Sequence, residues 1–128
     1  MTFDATNLMY NDAGLIPVIT QDNATKEVLM MAWMNQEADV QTLRSGQATY
    51  WSRSRQSLWV KGESSGHYQF VESIQTDCDY DALLITVKQE GGIACHTGRY
   101  HCFFTKLIDN NWIKTEKILK DPRDIYGK

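Results

Sequence analysis

Short β-branched or aromatic stretches recur along most of this chain, and one segment alone carries both the start and the stop signals of a helix. That pattern confines the fold to α+β, mainly an antiparallel β-sheet with one clear short helix. The strand stretches are 15–21, 27–34, 48–53, 58–61, 68–74, 82–88, 102–109 and 112–118. Asp22-Asn23-Ala24-Thr25 is suited to closing the first two into a hairpin. Asn110-Asn111 suits a second tight hairpin, because asparagine tolerates positive φ better than other non-glycine residues. The helix is expected to start at Gln36. Asn35 offers a side-chain oxygen to its free amides, Glu37 favours its positive end, and Gly46 can take the left-handed position after its last turn. Val40 and Leu43, three apart, predict the face that packs onto a sheet. The polar tail, 120–128, is expected to fray.

With 128 residues, no repeat, no low-complexity tract and its two prolines near the ends, the chain reads as a single domain over 1–128. Such a chain buries roughly two-thirds of the surface its unfolded form exposes, so a core needs no disulfides. Sixteen acidic against thirteen basic residues give a net charge of -3, which argues against nucleic acid as a partner, since phosphate backbones are held mainly by Lys and Arg. The longest wholly apolar run, 28–34, is far short of the ~20 residues that span a bilayer, and 1–10 lacks the basic start of a leader. A cytoplasmic protein with no membrane partner is the expectation. Three cysteines are an odd number, so a disulfide scaffold is a poor reading. Metal binding, catalysis or plain burial remain.

Three constellations can carry chemistry. Asp77-Cys78-Asp79-Tyr80-Asp81 places carboxylates at alternate positions. A straight strand would spread the outer two by about 13 Å, too far for one cation, so joint coordination requires a bend. An EF-hand is excluded, because Ala82 and Lys88 stand where its glycine and glutamate belong. The plain alternative is a solvated acidic loop. Next, Cys95 and His96 sit in the glycine-flanked loop 91–98, with Cys102 seven residues after Cys95. With Cys78 these make three possible thiolates. Three protein ligands and one open position is the pattern of catalytic zinc, whereas His96 as a fourth would close a structural site. Finally, Arg53, Arg55, Lys61, Ser64, Ser65 and His67 bring cations and hydroxyls together with glycines, a donor set suited to phosphate or an exposed polar hairpin. Trp33, Trp51, Trp59 and Trp112 are expected mostly in the core, with one of them available to stack on a base.

Taken together, these residues closely resemble the phosphoribosyl-AMP cyclohydrolase family of histidine biosynthesis over about 15–103. The pieces that carry the resemblance are Val28-Leu29-Met30-Met31-Ala32-Trp33-Met34-Asn35, Tyr50-Trp51-Ser52-Arg53-Ser54-Arg55, Leu58-Trp59-Val60-Lys61-Gly62-Glu63-Ser64-Ser65-Gly66-His67, Asp77-Cys78-Asp79-Tyr80-Asp81 and Cys95-His96-Thr97-Gly98. The resemblance implies a β-grasp-like homodimer acting on the small molecule phosphoribosyl-AMP, whose adenine ring is opened hydrolytically at N1–C6 by a zinc-activated water. It further implies that Cys78, Cys95 and Cys102 bind zinc, one ion per chain, with Cys78 of one chain meeting Cys95 and Cys102 of the other. Asp77, Asp79 and Asp81 are implied to hold one magnesium per chain. No fused pyrophosphohydrolase domain is expected. The chain departs from the family at His101, where serine is expected before the last cysteine.

Three thiolates more than neutralise a zinc dication and blunt its acidity, so a base would help. His96, beside a ligand, is the best candidate to take a proton from water and return it toward N1. If Cys102 begins a strand, His101 faces away from it. Two other classes stay open: a nucleobase deaminase, whose His-x-Glu and Pro-Cys-x-x-Cys signatures are absent, and a non-catalytic module stabilised by zinc.

Overall fold

The computed structural model describes residues 7–126. Its elements are β1 (Ile16–Asp22), β2 (Val28–Met34), α1 (Gln36–Ser45), β3 (Thr49–Ser52), β4 (Ser57–Val60), β5 (Gln69–Thr76), β6 (Leu83–Gln89), β7 (Thr105–Ile108), β8 (Asn111–Lys114) and α2 (Pro122–Tyr126). The main sheet has the order β2-β1-β6-β5. Its outer pairs are antiparallel and its central pair, β1 with β6, is parallel. Two antiparallel hairpins, β3-β4 and β7-β8, stand beside it. The fold is thus α+β, with strands mostly antiparallel.

The core follows the alternation in β1 and β6. Ile16, Val18 and Thr20 are buried on one side of β1, and Leu83, Ile85 and Val87 are buried in β6. Leu29, Met34, Ala38, Ala48 and Tyr50 close over them. Inside this apolar layer runs a line of polar side chains. The Tyr50 hydroxyl lies 2.7 Å from the Thr20 hydroxyl and donates to Gln69 Oε1 at 2.6 Å, and Gln69 Nε2 donates to Gln89 Oε1 at 2.8 Å. Gln89 Nε2 in turn donates to the His67 carbonyl at 3.0 Å. Each buried polar group is satisfied, so the line fixes the 61–67 loop against the core without a desolvation penalty.

The expected hairpin over 22–25 forms, as does the helix, whose first turn is capped by Asn35 accepting from the Ala38 amide at 2.8 Å. Its buried face differs from expectation. Ala38, Asp39 and Thr42 point inward, while Leu43 is exposed. The cause is Thr42, whose hydroxyl accepts from the Thr49 amide at 3.0 Å and donates to the Thr49 carbonyl at 3.1 Å. That exchange turns the small-residue face toward β3. The second hairpin turns on Asp109 and Asn110, both at positive φ, one residue earlier than predicted; Ile108 pairs with Asn111. The stretches 102–109 and 112–118 form strands only over four residues each. None of the four tryptophans is fully buried, and Trp112 is 70% exposed. The tail is ordered further than expected. Asp121 accepts from the Arg123 amide and pairs with its guanidinium, both at 2.9 Å, opening α2. Residues 1–6 and 127–128, which include parts of the predicted leader-free start and fraying tail, lie outside the described residues.

Asp39 is 3% exposed and accepts from the Tyr10 hydroxyl at 2.5 Å. Burial raises its carboxyl to about 6, and the Tyr10 bond offsets only part of that. The folded state therefore holds a proton on Asp39 that the unfolded chain has already released between pH 4 and 6, so the group costs stability as pH rises through that window. Asp39→Asn keeps an acceptor for Tyr10. It should stabilise the protein at pH 8 by about 1–3 kcal/mol and flatten the pH dependence of the urea midpoint between pH 4 and 7. An unchanged midpoint at pH 8 would refute the argument.

Candidate active site

Three backbone segments converge at one end of the β3-β4 hairpin. Ala48 ties the first of them, the 61–67 loop, to β5: its amide donates to the Gln69 carbonyl at 2.9 Å and its carbonyl accepts from the Lys61 amide at 3.0 Å. The 61–67 loop then folds on itself, with the Gly66 amide on the Gly62 carbonyl at 2.7 Å. Gly62 has φ 94°, and a Cβ there would lie 2.5 Å from the Tyr68 amide nitrogen, so no other residue fits the turn. The second segment, 94–100, is pinned by Ala94 to Tyr100 and by Cys95 to Arg99, and Gly98 turns back onto the Cys95 carbonyl at 3.0 Å. Cys102 is anchored separately, its amide donating to the Leu29 carbonyl of β2 at 2.7 Å.

Between these segments lies a cavity of about 290 Å³. Its wall includes Arg55, Lys61, Ser64, Ser65, His96 and Cys102, which the sequence placed in two unrelated motifs. Trp59, expected mostly in the core, also lines it, as do Glu63 and Tyr126, which were not assigned a role beforehand. Trp59 and Glu63 sat inside a recognisable stretch; Tyr126, in the supposedly frayed tail, carried no signal. Two expected phosphate ligands are elsewhere. Arg53 lies over the Trp33 ring at 4.8 Å, and His67 is held by Ser65 and Gln89 outside the cavity wall.

The Cys95 thiol is buried and accepts from the Thr97 hydroxyl at 3.1 Å. The Cys102 thiol meets it in the cavity; burial first and then the Cys95 thiol push Cys102 up to about 12, with Lys61 pulling the other way. The Lys61 ammonium donates to the Ala94 carbonyl and lies near both sulfurs. Burial lowers its pKa, and the two thiols partly counter that. Cys78 is exposed on the turn between β5 and β6 and does not converge with this pair.

Of the two imidazoles, His96 lines the cavity and His101 does not. His101 Nε2 lies 3.2 Å from Glu116 Oε1, its Nδ1 accepts from the Phe103 amide at 3.1 Å, and its ring sits edge-on to Tyr100. Strand alternation is not the reason, because Cys102 lies before β7 rather than in it.

Asp77, Asp79 and Asp81 gather on the bend that their joint use requires, with one carboxylate oxygen from each within 4.8 Å of the others. Among the described residues they are the one group of three or more such ligands at that spacing. Tyr80 at φ 63° makes the bend, and Asp77 Oδ1 accepts from the Asp81 amide at 3.0 Å. Hydrogen bonds with Asp79 and then Asp77 raise the Asp81 carboxyl to about 6. Octahedral ligands on a cation about 2.1 Å away lie roughly 3 to 4.2 Å apart, so the trio suits a small hard cation. Among the described residues no helix is long and apolar enough to cross a membrane.

The profile of the family described as phosphoribosyl-AMP cyclohydrolase matches residues 30–104. Curated relatives named phosphoribosyl-AMP cyclohydrolase are similar over most of the chain. That of Nitrosospira multiformis is 57% identical over 115 residues, 90% of this chain and 88% of its own length. That of Nitrosococcus oceani is 54% identical over 121 residues, covering 94% and 92%. That of Methylobacillus flagellatus is 58% identical over 113 residues, covering 88% and 87%.

Proposed function

The chain belongs to the phosphoribosyl-AMP cyclohydrolase family, and from that membership we propose that it opens the adenine ring of phosphoribosyl-AMP by hydrolysis of N1–C6, using zinc and magnesium, as a cytoplasmic homodimer with a β-grasp-like fold. The observation that carries the reading is the one cavity lined by His96, Cys102, Arg55, Lys61, Ser64 and Ser65. A thiol and an imidazole thus share one cavity with donors suited to phosphate.

The donor set fits zinc in part within one chain. Cys95 and Cys102 supply two soft ligands, and Cys78 of a second copy would supply the third, which is why we place the site at a dimer interface. Zinc held there lowers the pKa of water and polarises the bond under attack. The remaining steps belong to side chains. His96 takes one proton from the water that adds to C6 and returns it to N1 as the N1–C6 bond breaks, while the second proton leaves the same oxygen as it becomes the carbonyl of the C6 carboxamide. Arg55, Ser64 and Ser65 hold a phosphate of the substrate, and Lys61 holds the backbone at Ala94 in place and opposes, without overcoming, the effect of burial on the Cys102 thiol. Asp77, Asp79 and Asp81 hold magnesium, which supplies charge toward a phosphate or ribose oxygen.

Incubation of the purified protein with phosphoribosyl-AMP should yield the ring-opened product without ammonia, with loss of turnover on chelation and recovery on adding zinc. Ammonia release would point to a deaminase instead, and zinc binding without turnover to a structural module. Asp79→Asn keeps the size of the side chain but removes its charge. It should raise the magnesium concentration needed for half-maximal rate by about tenfold or more while zinc content stays unchanged. Loss of zinc with an unaltered magnesium response would contradict the division of ligands.

A further inference from the structure

The family profile ends at residue 104, yet the cavity does not. From β8 the chain doubles back over the 95–102 segment. The Arg99 Nε donates to the Glu116 carbonyl at 2.8 Å, Glu116 meets His101, and the Leu119 amide donates to the Gly98 carbonyl at 2.8 Å. The approach is close enough that a Cβ on Gly98 would sit 1.9 Å from the Lys120 carbonyl oxygen, and Gly98 itself is at φ 88°. Gly98 is therefore a glycine for two reasons, one of which is this returning strap. The strap ends in α2, whose Asp121 cap and Asp121–Arg123 pair fix its direction. At its last turn Tyr126 enters the cavity wall beside His96, Cys102 and Trp59, near enough to Cys95 for the two groups to interact electrostatically.

We propose that Tyr126 is a substrate-binding residue whose ring supplies aromatic surface for the heterocyclic base of the substrate, the Trp59 ring being already packed on Tyr50 with Lys61 over it, and that the strap 116–126 holds it there. The inference rests on the cyclohydrolase reading. A planar base gains affinity from aromatic faces through stacking, independent of the hydroxyl, and enzymes acting on a nucleobase commonly seat it this way. Tyr126 is about half exposed, so removing its ring leaves the core untouched.

The test is steady-state kinetics of wild type, Tyr126→Ala and Tyr126→Phe on phosphoribosyl-AMP, with zinc content measured for each. Tyr126→Ala should raise KM about tenfold with kcat within a factor of about 3, as expected for lost stacking that is equal in ground and transition states. Tyr126→Phe should stay near wild type, and deletion of 122–128 should match the alanine variant. All three should retain zinc. An unchanged KM in Tyr126→Ala, loss of kcat alone, or loss of zinc in that variant would overturn the inference while leaving the cyclohydrolase reading standing. A wild-type protein that does not open the ring would overturn that reading, and the inference with it.

Discussion

Cys95→Ser should abolish ring opening, by on the order of 1,000-fold or more, and release the zinc. The several kcal/mol that a Lewis acid contributes at the reacting bond correspond to rate factors of that size. Serine is a hard, weakly acidic ligand in place of a thiolate, and the site has no slack to replace it. Cys95 is buried, its thiol is already engaged by Thr97 and Cys102, and among the described residues no third cysteine converges with the pair. The variant should still fold, because the turn that carries Cys95 is held by backbone bonds to Arg99 and Gly98 rather than by the sulfur. Full zinc retention measured on the purified variant would remove Cys95 from the ligand set.

His96→Asn should lower kcat by about 100-fold, the usual worth of a positioned general base, with zinc retained. His96 is exposed and lines the cavity together with Cys102 and Lys61. His101→Ser should be close to neutral for turnover. That ring is turned away into its pairing with Glu116 and lies outside the cavity wall. Serine there gives up one contact to the 116–126 strap, worth about 1 kcal/mol or less. Reversed effects would show that the proton passes through His101, and zinc loss in His96→Asn would make His96 a ligand closing a structural site.

Local signals carried the first half of the fold. Asn35 and Gly46 each specify a backbone geometry that depends on near neighbours only, and both ends of α1 fall where those residues place them. The face of α1 was not legible in the same way. Val40 and Leu43 obey helical spacing, but the reciprocal bonds between Thr42 and Thr49 decide which side turns inward, and that contact joins residues in separate elements. The bend at Asp77–Asp81 was legible as a requirement of coordination rather than of backbone preference, and Tyr80 accomplishes it against the usual cost of positive φ. Within the site, residues inside dense motifs were found. Lys61, Ser64, Ser65, His96 and Cys102 do share one cavity, although spacing along the chain could not bring the two loops together. Tyr126 was missed because a polar tail has no periodicity, and only the strap over Gly98 returns it to the site.

We propose that each catalytic site takes Cys95 and Cys102 from one chain and Cys78 from another, and co-expression of two inactive variants distinguishes this from a site within one chain. Cys78→Ser and Cys95→Ser should each be inactive alone. In a mixed pair, the Cys78→Ser chain offers intact Cys95 and Cys102, and the Cys95→Ser chain offers intact Cys78, so one of the two sites is whole. With random pairing about half the dimers are mixed, and ring-opening activity should recover to roughly a quarter of the wild-type value, with zinc in proportion. A mixture as inactive as its components would place all the zinc ligands on one chain and contradict the shared site.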